Sequence, residues 1–238
     1  MARDRNAVRY LKAQKNIHLP PSREIGDGLC TILRPDVEML KILGSSDTPA
    51  LRCPGSGCEL FELFDKCVKP IDLEIGFGMG RFLVAKANAT PEVHFLGIEL
   101  EAARLARTDV AARTLDLKNI SLIRAQANSM LMYCIPDARI SNIYLLFPDP
   151  WPKARHSKNR IFQLPFVNSV HRILTSDGCL HVATDDEEYF NHMREVMDSE
   201  QRFFEAEPLK RSEEELTDFE LKFAAKNKQV YTAAWQKN

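Results

Sequence analysis

The sequence predicts an α/β fold, an open and mostly parallel sheet of seven strands with helices on both faces, and three observations carry that expectation. The run from Pro70 to Phe82 reads as a buried strand, a glycine turn and a helix start without interruption. From Pro70 onward apolar strands alternate with helical stretches, the pattern of a doubly wound sheet. Acidic residues, namely Glu74, Glu99, Asp149 and Asp185, fall at or near strand ends, the edge at which such sheets bind their ligands.

Taken in order, Ile71, Leu73 and Ile75 are β-formers at the spacing of one strand face. Gly76, Gly78 and Gly80 then let the backbone turn sharply and approach a ligand, and Phe82, Leu83, Ala85 and Lys86 continue as a helix. His94 to Glu99 is a second strand, Ala102 to Leu115 a helix rich in alanine and arginine, and Ile120 to Ile123 a third strand. Ile143 to Phe147 is the fourth, and it runs directly into Pro148-Asp149-Pro150-Trp151-Pro152-Lys153. Three prolines there fix the backbone, so Asp149, Trp151 and Lys153 have little conformational freedom to lose on binding. A helix is expected from Ile161 to Leu174, a turn at Ser176-Asp177-Gly178, and a fifth strand from Cys179 to Thr184 that ends at Asp185-Asp186. Tyr189 to Met197 is helical, and Phe203 to Ala206 and Gln229 to Trp235 complete the seven strands. Residues 1–57 read as an N-terminal extension, with Pro20-Pro21, a short helix from Asp36 to Leu43 and a turn-rich stretch from Gly44 to Pro49; residues 58–238 read as the main domain. Leu60, Phe61, Leu63 and Phe64 form an apolar cluster suited to cover the sheet edge.

The glycine loop says which nucleotide ligand it suits. A dinucleotide fingerprint needs glycine or alanine three positions after Gly78, and Arg81 stands there. An acid just before the loop, Glu74, suits a ligand carrying an ammonium or sulfonium cation and repels a pyrophosphate, which points to S-adenosylmethionine rather than NAD. The plain alternative is a tight strand-to-helix connection with no ligand. Glu99 ends its strand a little over twenty residues after the loop, where an acid accepts hydrogen bonds from ribose hydroxyls. Asn128 and Ser129 follow the third strand, where an amide can bond the edge of adenine; helix capping accounts for them equally well.

Composition narrows the class. The 238 residues suit one α/β domain with an appendage, and 45% hydrophobic with 27% charged residues is ordinary for a globular protein. No apolar run approaches ~18 residues and no signal-peptide core follows Met1, so a cytoplasmic protein without a membrane partner is expected. A net charge of -1 means that any nucleic-acid binding must rest on local patches. Two exist: Arg3, Arg5, Arg9, Lys12 and Lys15 at the start, and Arg155, His156, Lys158 and Arg160. Each is also what a solvated face looks like. Six cysteines fit a reducing compartment. Cys53 and Cys58 have a spacing seen in some zinc pairs, but no second close pair follows, so a turn with two free thiols and no metal is expected.

Phe147-Pro148-Asp149-Pro150-Trp151-Pro152-Lys153-Ala154-Arg155-His156-Ser157-Lys158-Asn159-Arg160 resembles the signature of the tRNA (guanine-N7)-methyltransferase family. The resemblance spans about residues 60 to 236 and includes Glu74 to Gly80, Gly97-Ile98-Glu99, Ala183-Thr184-Asp185 and Thr217-Asp218-Phe219-Glu220. It implies a Rossmann-like class I methyltransferase using S-adenosylmethionine, with tRNA as partner and N7 of the variable-loop guanosine usually numbered 46 as target. Carried residue by residue, it implies cofactor contacts at Glu74, Gly76, Gly78, Gly80, Glu99, Asn128 and Ser129, and Asp149 as the active-site acid. Lys153, Asp185, Thr217, Asp218, Phe219 and Glu220 are implied as substrate contacts, and Arg155, Lys158 and Arg160 as RNA contacts. Asn128 stands near where many bacterial members have aspartate, and Asn159 where a second basic residue is common. Two rival classes stay open: a methyltransferase of a small molecule or protein, and a non-catalytic RNA-binding subunit. Monomer and homodimer are both compatible with the sequence.

Overall fold

Residues 31–33, 63–64, 67–224 and 226–238 are described by the structure, a computed structural model. The expected helix at Asp36–Leu43, the turn at Gly44–Pro49, the basic start, Leu60, Phe61 and the Cys53–Cys58 turn lie outside these residues.

The sheet is built from β1 (Thr31–Leu33), β2 (Ile71–Ile75), β3 (His94–Glu99), β4 (Ile120–Arg124), β5 (Ile140–Leu146), β6 (Leu174–Thr184), β7 (Phe203–Ala206) and β8 (Tyr231–Lys237). Their spatial order is β1-β4-β3-β2-β5-β6-β8-β7. The seven expected strands are all present, and β1 adds an eighth by pairing in parallel with β4. Strands β2 to β6 pair in parallel, and only β8, inserted between β6 and β7, runs antiparallel to its neighbours. The order reverses at β2, which lies between β3 and β5, so the ends of these three strands border one crevice.

Helices α1 (Arg81–Ala89), α2 (Ala102–Thr114), α3 (Leu164–Ile173), α4 (Glu187–Asp198) and α5 (Asp218–Ala224) complete the frame. The expected turn at Ser176–Gly178 is instead an irregularity within β6: Ile140 pairs with Leu174 but Asn142 with Cys179, so the extra residues bulge out of the ladder.

Strand alternation gives the sheet two unlike faces. Ile71, Leu73, Ile75, Ile143, Leu145, Leu180 and Val182 pack with Phe166, Val170 and Ile173 of α3 and Tyr189 and Met193 of α4 in one apolar core, which Leu63 and Phe64 join. Burying each such large side chain contributes about 1.5–3 kcal/mol. The opposite face carries a row of polar groups. Asp72 accepts from Tyr144 Oη at 2.8 Å and from Asn142 Nδ2 at 3.0 Å, and the His181 ring stacks on Tyr144 at 5.3 Å between centroids. Burial raises the Asp72 carboxyl and lowers His181 to about 4, so both resist taking charge there.

Candidate active site

The glycine loop supplies the floor of the crevice. Gly76, Gly78 and Gly80 have φ of 70°, 55° and 77°, a region L side chains rarely adopt. At Gly80 space forbids a side chain as well, since a Cβ would lie 2.3 Å from Thr108 of α2. The loop is held to β3 by Gly76 N–H donating to Ile98 O at 2.7 Å.

Glu99 organises this half. Its Oε1 accepts from the backbone N–H of Leu100 at 2.7 Å and of Glu101 at 2.9 Å, and its Oε2 accepts from Gly78 N–H at 3.0 Å. A carboxylate has about four lone-pair sites. Three are engaged by backbone donors, one from the glycine loop and two from the turn after β3, with the Arg104 guanidinium 3.9 Å from Oε2, which leaves about one for a ligand hydroxyl.

Glu74 is the opposite case. It is 3% exposed, it borders the cleft, and its Oε2 has no hydrogen-bond partner among the described residues. Burial first and the neighbouring Glu99 second push its carboxyl up to about 8, against the pull of the Arg211 guanidinium. An orphaned buried acceptor at this place is what a cationic ligand group would satisfy.

The other half of the cleft is made of loops. Asp149 is exposed at the rim, and the backbone on either side of its proline pair is left-handed, with φ of 54° at Phe147 and 45° at Trp151. Non-glycine residues in that region cost of order 1–3 kcal/mol each and persist only where neighbours enforce them. Arg160 is one enforcer. It is 7% exposed, donates from Nε to Pro150 O at 2.8 Å, pairs with Glu188 at 2.8 Å and lies over the Tyr189 ring at 5.0 Å. The expected RNA contact at Arg160 is therefore corrected, because its donors are committed to holding the proline loop. Lys153, Arg155 and Lys158 are exposed and face no carboxylate among the described residues; Arg155 approaches only the His156 ring, at 3.3 Å.

The third wall is the excursion between β7 and β8. Thr217, Asp218 and Phe219 line the cleft. Glu220 does not: its carboxylate accepts from Thr217 N–H at 2.8 Å and from Arg211 at 2.7 Å, so it caps α5 and anchors Arg211. Asp185 is likewise drawn away, into an ion pair with Lys228. Gln126 and Ala127 line the cleft, and Asn128 and Ser129 follow directly after them, with Ser129 Oγ donating to Gln126 Oε1 at 2.8 Å.

Sequence reasoning missed Arg81, which reaches from α1 to donate to Leu216 O at 2.9 Å and clamps the excursion against the loop. The signal was present in its replacing a fingerprint glycine. It also missed the cluster of Phe147, Phe219 and Phe223, whose ring centroids are 5.6–6.1 Å apart. All these walls enclose one cleft of about 590 Å3, bordered by Glu74, Gly78 and Glu99 on one side and by Asp149, Trp151 and Phe219 on the other.

A doubly wound sheet with a glycine loop at its reversal point and an acid closing the next strand defines a Rossmann-like methyltransferase fold. The chain belongs to the Methyltransf_4 family, whose description is "Putative methyltransferase" and whose pattern matches residues 68–233. It is 43% identical over 146 residues to the tRNA (guanine-N(7)-)-methyltransferase of Sodalis glossinidius, a stretch covering 61% of this chain and 60% of that protein. It is 46% identical over 130 residues to the protein of the same name from Salmonella choleraesuis, covering 55% and 54%. The chain thus spans between half and two thirds of the length of these curated relatives. Among solved structures it is similar to the 16S rRNA methyltransferase KamB, with a TM-score of 0.53 at 14% identity over 77% of this chain and 94% of that one. The antibiotic-resistance methyltransferase Kmr gives 0.51 at 12% identity, over 79% and 97%. At such identities these two establish the fold alone.

Proposed function

We propose that this chain transfers a methyl group from S-adenosylmethionine to N7 of a guanosine in tRNA, at the variable-loop position usually numbered 46. The observation that carries the reading is that one cleft joins Glu74, Gly78 and Glu99 to Asp149, Trp151 and Phe219. The names of the similar Sodalis and Salmonella proteins support it.

The residues fit the cofactor. The orphaned Glu74 carboxyl oxygen would take its ammonium group, the remaining acceptor site of Glu99 its ribose hydroxyls, and Gln126 and Ala127 the side of its base. Bound there, S-adenosylmethionine supplies an electrophilic methyl on a sulfonium. Guanine N7 already carries a lone pair, so the protein needs no strong general base, and catalysis is mainly positioning. Asp149 accepts from the guanine N1–H and exocyclic amine, which aims N7 inward, and Trp151, 36% exposed at the rim, stacks on a base. Lys153, Arg155 and Lys158 hold phosphates.

Transfer of labelled methyl from S-adenosylmethionine to bulk tRNA, followed by borohydride and aniline cleavage, tests the proposal. A cut at the variable-loop guanosine is expected. Label on a small molecule or protein alone, or a cut at another base, would refute it.

A further inference from the structure

We infer that the groove between the starts of α3 and α4 is a second nucleotide subsite, which receives the RNA nucleotide adjoining the guanosine held in the cleft. The inference rests on the tRNA reading above. The groove has a volume of about 710 Å3 and shares a wall with the catalytic cleft: the helical turn Ala154–Asn159 gives Asn159 to the cleft and Ser157 and Lys158 to the groove. The two helices begin at Leu164 and Glu187, after β5 and β6 have ended, so the end of the groove at Leu164 and Glu188 opens on the same sheet edge as the active site, while His192 and Val196 continue it along α4. A strand of RNA entering the cleft past Trp151 crosses that turn and meets the groove next.

The chemistry of the lining matches a nucleotide. Leu164, Pro165 and Val196 give it an apolar surface, and Leu164 is 53% exposed. Arg160 and Glu188 neutralise one another across the groove at 2.8 Å. Lys158 is left as the net charge, its exposed ammonium facing no carboxylate among the described residues. The His192 ring is turned to Phe162 O at 3.1 Å. An apolar surface beside a single cation is the combination that holds a base or ribose by its face and a phosphate by its charge, without reading sequence. A protein partner with an apolar side chain is the competing occupant, and the groove offers it only a few residues of contact.

Methylation of bulk tRNA by the wild-type protein reads the proposed function by itself. For the groove, Leu164→Ser is expected to weaken tRNA binding about tenfold, the size of one lost aliphatic contact. S-adenosylmethionine affinity and the salt dependence of tRNA binding should stay as in the wild type, because the lost contact is apolar and remote from the cofactor. With p-benzoylphenylalanine in place of Leu164, photocrosslinking to tRNA is expected at the nucleotide next to the methylated guanosine. If the wild type methylates tRNA but Leu164→Ser binds it equally well, the subsite is wrong and the function stands. A crosslink elsewhere on tRNA, to protein, or to nothing likewise overturns the subsite and leaves the function standing. A wild type that leaves tRNA unmethylated removes both.

Discussion

The two halves of the cleft are built on opposite terms. The cofactor half is made of strand ends and main-chain donors, with Glu99 fixed by three backbone N–H groups at 2.7–3.0 Å. The half proposed for substrate is made of loops and exposed aromatics: Arg160 holds the proline loop with its two left-handed residues, and Arg81 holds the excursion that faces it. The contrast fits the proposed function. A small cofactor favours donors and acceptors fixed before it arrives, whereas a base on a large RNA needs a mouth open to solvent.

The contrast can be broken most forcefully at Asp149. Asp149→Asn keeps the volume and one acceptor but turns a donor toward a base edge that itself donates. Methylation should fall on the order of a hundredfold, the cost of a ~1 Å misplacement, with the fold and cofactor affinity unchanged. Single-turnover methylation beside calorimetry measures both; equal rates would take Asp149 out of the site.

Next in size is Glu99→Ala, expected to weaken S-adenosylmethionine binding by roughly 1–3 kcal/mol, since it removes the ligand's acceptor and strands three backbone N–H donors, one in the glycine loop and two after β3. Calorimetry on folded variant protein decides it, and an unchanged dissociation constant would count against the assignment.

Glu74 sharpens the comparison through pH. Its folded carboxyl is raised to about 8 from an ordinary 4.5, so the stability it contributes is full below 4.5 and is lost as pH rises through 8. Between pH 5 and 9 the ligand-free wild type should therefore lose thermal stability that Glu74→Gln retains, while the same variant binds the cofactor less well. Comparing the two proteins cancels the opposite contributions of His94 and His181, each lowered to about 4 by burial. Parallel melting curves would show that Glu74 does not titrate there.

The smallest effect is expected on the outer rim. Arg155→Ala and Lys158→Ala should each reduce the salt slope of tRNA binding by about one unit and leave cofactor affinity alone. Slopes identical to wild type would make these cations a solvated face.

How much of this was legible in the sequence divides along the same line. The strands of the sheet, the glycine loop, Glu74 and Glu99 follow from local periodicity and spacing, because a buried strand and its turn write their constraints into adjacent residues. Three prolines announced a fixed loop around Asp149, but the role expected of Asp149 came from the family resemblance and not from the loop. The roles of Arg160 and Glu220 were not, since a buried arginine and a surface one look alike until partners 28 and 9 residues away close on them. Arg81 reaches across 135 residues to Leu216. Side chains that hold loops from a distance leave no periodic trace, and the displacement of Asn128 by Gln126 turns on a single helical turn after β4 that propensity does not resolve.

The excursion from 207 to 230 leaves the sheet after β7 and rejoins it at β8, and those two strands pair with each other directly. The ladder is thus complete without it. A wall inserted this way can be exchanged at the cost of its side-chain contacts with the frame, namely the Arg81 clamp, the ion pairs of Glu215 with Lys86 and of Lys228 with Asp185, and the packing of Phe219 and Phe223 on Phe147, while the strand registers that aim Glu74 and Glu99 stay as they are. Substrate choice is, in that sense, interchangeable upholstery on a fixed frame, and a chimera carrying a foreign loop between Ala206 and Tyr231 should still fold and still bind the cofactor.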